Sequence, residues 1–282
     1  MERLRDLRFS ALSSALVLAV SLTALSWIGF SVSAQGAEDS LSNRDEGARA
    51  GHPTEVAEPM YEYFEVMAGC DYAYTGDCVS ARAGPGFEYK ILDRLRKGVV
   101  LKIGDTVSDG ARLWYKIAFD EPIRYPERVA RNQYVAAENV RHFYDYGVLV
   151  REDSGASTTK HIVVDRSEQK LYAFDGDQLF IEASISTGIN LTPTPRGTFV
   201  VYKKTPTRYM QGPLPGISEK YYDLPGVPWN LYFTNEGGVI HGAYWHESFG
   251  MRWSNGCVNL PLSEARALYE WADVGTPVLV KD

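Results

Sequence analysis

Short stretches of β type, separated by turn residues, follow one another along most of this chain and limit the folds it can adopt. In the first half these stretches are residues 78–82, 89–92, 99–103 and 113–117. Gly- and Pro-containing turns lie between them, for example at residues 83–86. Short strands at this spacing are typical of a small barrel. We therefore predict a first β domain over residues 60–147.

A second β-rich domain is predicted over residues 160–282. Its strand-like segments are residues 162–165, 170–174, 179–184, 198–203 and 278–280. Asp175-Gly176 is a strong hairpin turn between two of them. A single segment has clear helical spacing, residues 264–272, with Ser263 as the expected N-cap. The predicted fold class is mainly β, with one or two short helices.

The N-terminus predicts export. Three arginines within the first eight residues precede an uncharged, apolar run over residues 9–30, and small residues typical of a signal-peptidase site follow it. The run is also long enough to span a bilayer, so residues 1–34 are either a cleaved signal peptide, which we favour, or a membrane anchor. Residues 35–59 are polar without an apolar period and predict a flexible linker. The expected location is the periplasm or cell envelope.

Charge and cysteine content narrow the function classes. A formal net charge of -7 argues against a nucleic-acid partner, because such proteins usually carry a basic face. Export favours disulfides, and Cys70 and Cys78 lie close together in the sequence. Their pairing would leave Cys257 as an odd thiol, which in an oxidising compartment is used, buried or paired between chains.

The residues around Cys257 offer the chemistry of acyl transfer. His241 and His246 precede the thiol, and a neighbouring imidazole can convert a thiol into a thiolate nucleophile. Gly256 permits a tight turn whose backbone N–H groups can face a developing oxyanion. A buried structural thiol is an equally good interpretation from the residues alone. A zinc site is also conceivable, but the two histidines do not have the helical spacing of an HExxH motif.

The segment over residues 240–260 resembles the catalytic motif of the L,D-transpeptidase family. That motif has His-Gly, a later Gly, and then Ser-His-Gly-Cys followed by an aliphatic residue and Arg or Asn. The resemblance covers roughly residues 160–281, because IVVDRSEQKLYAFDG, STG, TPRGTF and SEARALYEWADVGTPVLV also match the family in order. It implies the family's β-rich catalytic domain.

The resemblance also implies roles for the motif residues. Cys257 is similar to the acyl-accepting nucleophile and His241 to the imidazole that activates it. Gly242 would supply the backbone carbonyl that orients this ring. Ser254 would shape the turn through hydrogen bonds.

An oxyanion hole is implied by the same resemblance, formed by the backbone N–H groups of Asn255, Gly256 and Cys257. Asn255 departs from the family, which usually has His there. We expect the backbone N–H to be what matters at this position, so that Asn serves as well. Asn259 is expected to contact substrate or to fix the loop.

Aromatic and histidine side chains near the motif are further candidates for substrate binding. Residues 209–229 are rich in aromatic residues, Pro and Gly, which predicts a lid or a packed Ω-loop. As a lid this stretch would line the cleft with Tyr222 and Trp229. Tyr244 and His246 are also expected at the substrate, although His246 has a structural role as its alternative.

Residues 76–140 resemble a bacterial SH3-like domain through ARAGPG, RKGVVLKI and LWYKI. Such a domain either binds the cell wall or spaces the catalytic unit, and both roles stay open.

Together the resemblances imply a transpeptidase that joins donor and acceptor peptidoglycan stem peptides through a thioester on Cys257. No cofactor or metal is expected, and carbapenems are expected to acylate the thiol. A carboxypeptidase using the same residues, or a non-catalytic wall-binding protein, are the alternatives. Residues 9–30 provide possible membrane anchoring.

Overall fold

A computed structural model describes residues 60–150 and 159–282. The predicted signal or anchor segment and the predicted linker, residues 1–34 and 35–59, lie outside these ranges. Within the described ranges, none of the helices combines the length and apolar character that crossing a membrane requires.

The first part of the chain forms one seven-stranded sheet in which every neighbouring pair is antiparallel. Its spatial order is β3-β2-β6-β5-β4-β1-β7. The strands are β1 (Tyr61–Glu65), β2 (Val79–Arg82), β3 (Ile91–Leu95), β4 (Val100–Ser108), β5 (Leu113–Ala118), β6 (Tyr134–Ala136) and β7 (Arg141–Asp145). Short 3₁₀ turns lie at Pro126–Arg128 and Ala137–Asn139.

A disulfide closes the connection between β1 and β2. Cys70 and Cys78 are bonded to each other, as their spacing suggested, and Cys257 is free. The bond closes a short loop, for which chain entropy alone predicts a stabilisation of about 2.5 kcal/mol.

The second part contains two five-stranded sheets and one α-helix. Their spatial orders are β11-β10-β9-β17-β12 and β16-β15-β14-β13-β8. The strands are β8 (Leu149–Val150), β9 (Lys160–Asp165), β10 (Lys170–Asp175), β11 (Gln178–Ser184), β12 (Gly197–Val200), β13 (Lys203–Leu214), β14 (Ser218–Tyr232), β15 (Val239–Gly242), β16 (Val258–Leu260) and β17 (Pro277–Lys281), and the helix is α1 (Leu262–Trp271). The mainly β fold class is confirmed.

The apolar core lies against one face of the β16-β15-β14 strands. Leu231, Ile240 and Val258 are register partners across these three strands and are buried together with Leu268 of α1. Side chains alternate between the two faces of a strand, so the residues next to them point to the opposite face. That opposite face carries the candidate site.

The helix begins two residues earlier than the sequence indicated. Pro261, with an extended backbone, is the N-cap, and Ser263 lies inside the first turn, where its hydroxyl donates to Glu264. At the other end the Lys204 Nζ donates to the carbonyl oxygens of Tyr269 and Ala272 at 2.7 and 2.5 Å. These carbonyls have no partner within a helix, so the buried ammonium satisfies them and complements the helix dipole.

The stretch predicted as a lid or Ω-loop is instead a long β-hairpin formed by β13 and β14. The prolines in this segment argued against strands, because proline cannot donate a hydrogen bond to a β ladder. Three of the four in β13 and β14 lie where no donor is needed: Pro206 comes after the two residues that pair with β8, and Pro213 and Pro225 lie at shifts of the register. The fourth, Pro228, is the register partner of Thr207. The hairpin is therefore part of the sheet.

This hairpin also contacts the first sheet. The Thr207 hydroxyl donates to the Val100 carbonyl at 2.5 Å, and the Tyr125 backbone N–H donates to the Gln211 amide oxygen at 2.7 Å. Leu224 and Val227 are buried in one apolar cluster with core residues of the first sheet. The described residues from Met60 onward belong to one compact unit. The domain boundaries at residues 60–147 and 160–282 stay predictions.

Candidate active site

The parallel pair of β15 and β16 places the histidine and the thiol on the same face. His241 is the register partner of Asn259, and both alternate with core residues. Cys257 directly precedes β16 and lies level with Val239, whose backbone N–H forms a hydrogen bond with the sulfur. The thiol in turn lies 3.7 Å from the Gly237 carbonyl oxygen. The structure thus places Cys257 and His241 on the same face of two neighbouring strands.

A backbone carbonyl fixes the tautomer of His241. Its Nδ1 lies 3.0 Å from the Gly242 oxygen. A carbonyl can only accept, so Nδ1 carries the proton and Nε2 keeps its lone pair. Among the described residues, Nε2 is buried without a hydrogen-bond partner. Burial lowers the pKa of His241 to about 3, so the ring is neutral and has the form that a general base requires.

The thiol is protonated at rest. Cys257 is half-buried, and burial raises the pKa of its thiol, an effect that the positive charge of Arg208 and the Val239 N–H partly offset. A raised thiol pKa and a lowered imidazole pKa favour a neutral thiol and a neutral imidazole over a thiolate–imidazolium pair at rest. With both groups neutral, the thiol proton would move to the imidazole as the sulfur attacks.

The turn before Cys257 is held by two hydroxyl side chains. Gly256 has φ of 113°, a conformation that side chains other than glycine rarely adopt. The Ser254 hydroxyl accepts from the Gly256 N–H at 3.1 Å and donates to the Cys257 carbonyl at 2.5 Å. The buried Thr194 hydroxyl donates to the Gly256 carbonyl at 2.9 Å and accepts from Gly188. The sequence did not indicate this role of Thr194, although the TPRGTF segment that contains it resembles the family.

The Gly256 N–H is therefore used within the turn and is not directed at a substrate. The predicted oxyanion hole changes accordingly: of the three N–H groups expected there, those of Asn255 and Cys257 stay candidates. The reason is local, because a side-chain oxygen two residues earlier competes for the Gly256 donor.

His246 and Asn259 form a buried polar pair below the site. The His246 Nδ1 accepts from the Ser248 N–H at 3.0 Å, so a neutral ring carries its proton on Nε2, which lies 2.9 Å from the side-chain amide of Asn259. Burial lowers the pKa of His246 to about 4, so this ring is neutral. With both nitrogens engaged, His246 is placed as a structural residue, the alternative that the sequence left open.

Two of the predicted cleft residues lie elsewhere. Trp229 is buried in the core cluster between the rings of Phe143 and Tyr269. It has φ of 62° and lies on the same core face of β14 as Leu231, two residues later. Tyr244 is buried as well, with its hydroxyl donating to the Pro225 carbonyl at 2.6 Å. Neither lines an open cleft.

Tyr222 is near enough to the thiol for their charges to interact, and so is an arginine that the sequence did not reveal. Burial raises the pKa of Tyr222, an ionised Cys257 raises it further, and a hydrogen bond with the Asn255 side chain lowers it. Arg208 on β13 is, after burial, the next influence on the pKa of Cys257 and of His241, and it lowers both. Because β13 also carries Lys203 and Lys204, nothing local in the sequence singled out Arg208.

Among the described residues, no cluster of three or more His, Cys, Asp or Glu side chains is arranged to hold a metal ion. The candidate chemistry is that of a thiol, an imidazole and a glycine turn.

Residues 159–280 match the model of the L,D-transpeptidase catalytic domain. This match agrees with the family predicted for the second part of the chain. A search of curated protein sequences finds no match.

Solved L,D-transpeptidase structures are also similar to the chain. A cysteine-to-serine mutant of the Enterococcus faecium enzyme is 29% identical over 44% of this chain and 50% of its own, with a TM-score of 0.40. The catalytic domain of the E. faecium enzyme acylated by ertapenem is 29% identical over 45% and 100%, with a TM-score of 0.39. An L,D-transpeptidase from Mycobacterium smegmatis is 20% identical over 63% and 99%, with a TM-score of 0.42. The chain thus matches half the length of the first E. faecium protein.

Proposed function

We propose that this protein is a cysteine L,D-transpeptidase that acts on peptidoglycan stem peptides through a thioester on Cys257. One observation carries the proposal. His241 is held by the Gly242 carbonyl in the tautomer whose free Nε2 lies on the same sheet face as the free thiol. The match of residues 159–280 to the catalytic domain supplies the substrate class.

In the first step the Cys257 sulfur attacks the carbonyl carbon of the third residue of a donor stem peptide. His241 Nε2 takes the thiol proton, and a C–S bond forms. The tetrahedral oxyanion is held by the N–H groups of Asn255 and Cys257, each typically worth about 3 kcal/mol in barrier height. His241 then passes its proton to the leaving amine as the C–N bond breaks, which releases the terminal D-amino acid.

In the second step an acceptor amine attacks the thioester carbon. His241 takes a proton from the amine and returns it to the sulfur as the C–S bond breaks, so that a new amide forms and the thiol is restored. A carboxypeptidase would differ only in using water here. A non-catalytic wall-binding protein would need neither Cys257 nor His241.

Intact-mass measurement after exposure to ertapenem tests the proposal, because the similar E. faecium catalytic domain is described as acylated by that compound. We expect one covalent adduct on wild type and none on Cys257→Ala. His241→Asn should retain the thiol but acylate at least about 100-fold more slowly, since general-base assistance is worth that much. Unmodified wild type would contradict the proposal.

Product analysis then separates the two enzyme activities. A donor tetrapeptide incubated with and without an amine acceptor should give a cross-linked product only with the acceptor. Hydrolysis at the same rate in both reactions would favour the carboxypeptidase. The proposed location is the periplasm or cell envelope, with residues 1–34 directing export, and wall binding by the SH3-like part stays a prediction.

A further inference from the structure

The connection between β5 and β6, residues 119–133, is docked on the β13–β14 hairpin. The Tyr125 backbone N–H donates to the Gln211 amide oxygen at 2.7 Å, and the Gln211 amide nitrogen donates to the Tyr125 carbonyl at 3.2 Å. Nη1 of Arg128 donates to the Gly212 carbonyl at 2.6 Å. These hydrogen bonds hold the connection, which belongs to the first part of the chain, at a defined place on the hairpin.

That place is next to the candidate active site. Gly212 is the register partner of Tyr222 on β14, and a Cβ atom at position 212 would overlap the Tyr222 ring. The ring therefore lies against the segment of β13 that the connection contacts. The Tyr222 side chain is also hydrogen-bonded to that of Asn255, in the turn before Cys257.

Two arginines of the connection have different surroundings. Arg128 lies over the rings of Tyr125 and Tyr221, at 3.8 and 4.7 Å from their centroids, and 4.0 Å from a carboxylate oxygen of Asp223. Arg124 is exposed, and within the described ranges it has no hydrogen bond, ion pair or ring contact. Arg128 therefore fixes the connection, whereas Arg124 is available to a ligand.

A second arginine approaches Tyr222 from β13. Nη1 of Arg208 is buried and has no hydrogen-bond partner in the part of the chain that the structure describes. Glu121 is close enough for their charges to interact, but burial raises the pKa of this carboxyl to about 7, so about half of it is neutral at pH 7. Buried donors in native proteins are nearly always satisfied. The open donor of Arg208 therefore indicates an anionic ligand.

Both arginines act electrically on the candidate site. Burial raises the pKa of Tyr222, and the charges of Arg208 and Arg124 both lower it. After burial, the Arg208 charge is also the next influence on the pKa of Cys257. The two guanidinium groups thus come from different parts of the chain to one side of the thiol.

A carboxylate is the group that these arginines would recognise, because a guanidinium matches its planar geometry. In the proposed first step the attacked carbonyl is joined through its amide nitrogen to the terminal D-amino acid. The carboxylate of that residue is separated from this nitrogen by a single carbon, so it lies beside the reacting atoms. It takes no part in the bond changes, and holding it leaves His241 free to protonate the departing nitrogen.

We propose that Arg124 and Arg208 together bind the terminal carboxylate of the donor stem peptide, so that the connection between β5 and β6 forms one wall of the donor site. This inference rests on the proposed function, because it assigns specificity-determining residues to that donor. It gives the first part of the chain a role beyond wall binding or spacing, since that part supplies Arg124.

Two synthetic donor tetrapeptides test the assignment, one ending in D-alanine and the other in D-alaninamide. Release of the terminal residue gives kcat/KM for each. Wild type should prefer the acid, and Arg124→Gln should lower kcat/KM for the acid at least about tenfold, which corresponds to about 1.4 kcal/mol. For the amide the loss should be less than about twofold, because the amide lacks the charge. A structural defect would slow both donors alike, so equal losses, or none, would overturn the proposal.

Matched variants of the full chain serve as controls. Arg131→Gln removes another exposed arginine of the same connection and should leave both rates unchanged. Arg124→Lys keeps the charge and should retain part of the preference for the acid. Arg208→Gln also raises the pKa of the thiol, so only its ratio of acid to amide is compared, and this ratio should fall. A preference lost equally in Arg131→Gln would sink the inference.

Binding without turnover separates this inference from the proposed function. In the Cys257→Ala chain, calorimetry should show the acid binding at least about tenfold more tightly than the amide, and adding Arg124→Gln should remove the difference. Ertapenem acylation of wild type together with equal binding of the two donors, or of neither, would refute the arginine site and leave the transpeptidase proposal intact. Absence of acylation would refute the transpeptidase proposal, whereas the binding measurement would still report on the arginines.

Discussion

Alkylation of Cys257 by a small reagent should be slow at neutral pH and should accelerate steeply with pH. An ordinary thiol with a pKa of about 8.5 is only about 3% thiolate at pH 7. Burial raises the pKa of Cys257 above its ordinary value, so its thiolate fraction is smaller still. Because only the thiolate reacts, the rate should rise about tenfold for each pH unit between about pH 6 and pH 8.

His241 should leave no inflection in this profile. Its pKa of about 3 means that the ring does not change charge between about pH 5 and pH 9. The Arg208 charge lowers the thiol pKa, so Arg208→Gln should raise that pKa and slow alkylation further at pH 8. His241→Asn should keep the slope, because the neutral imidazole contributes no charge to the thiolate.

The assay is iodoacetamide labelling of the intact, disulfide-bonded protein followed by mass spectrometry over a series of pH values. Cys257 is the one thiol outside the disulfide among the chain's three cysteines, so a single adduct reports on it. Urea-unfolded protein gives the ordinary thiol profile as a control. A labelling rate that is high and constant from about pH 6 to pH 8 would refute the reasoning, because it would require a resting thiolate–imidazolium pair.

Further substitutions test the turn before Cys257 and the disulfide of the first sheet. Gly256→Ala should cost about 1–3 kcal/mol through its positive φ and slow ertapenem acylation, and wild-type acylation and stability would contradict the assigned conformation. Thr194→Val should leave the carbonyl of Gly256 without its donor and lower the free energy of unfolding in urea by about 1–3 kcal/mol, whereas Thr198→Val, in a strand away from the turn, should cost much less. The double change Cys70→Ser and Cys78→Ser should lower the free energy of unfolding by about 2.5 kcal/mol, and an unchanged midpoint would exclude a stabilising bond.

The strands that alternate or follow a strong turn could be predicted from the sequence. β10 and β11 flank Asp175-Gly176, and β17 is a short apolar run, so local pattern was sufficient for them. The β13–β14 hairpin was not predictable in this way. Three of its four prolines fit because of the open edge and the register shifts, which depend on tertiary pairing.

The candidate site also contains some residues that could be predicted from the sequence and others that could not. Cys257 and His241 lie in one short segment with recognisable neighbours, so their residue types were informative. Arg208 and Thr194 act through strands and loops distant in sequence, and nothing local marks them. Trp229 was misplaced because the rings that bury it, Phe143 and Tyr269, are distant in sequence.

Leu224 and Val227 share an apolar cluster with the first sheet. Neither part of this chain could therefore easily be replaced by a domain from another protein. A fragment starting at residue 159 would turn those side chains toward water, and exposed patches of this kind promote self-association. Swapping in a foreign wall-targeting module would likewise require a matching surface. The β13–β14 hairpin and the first sheet would therefore have to be replaced together, in engineering as in evolution.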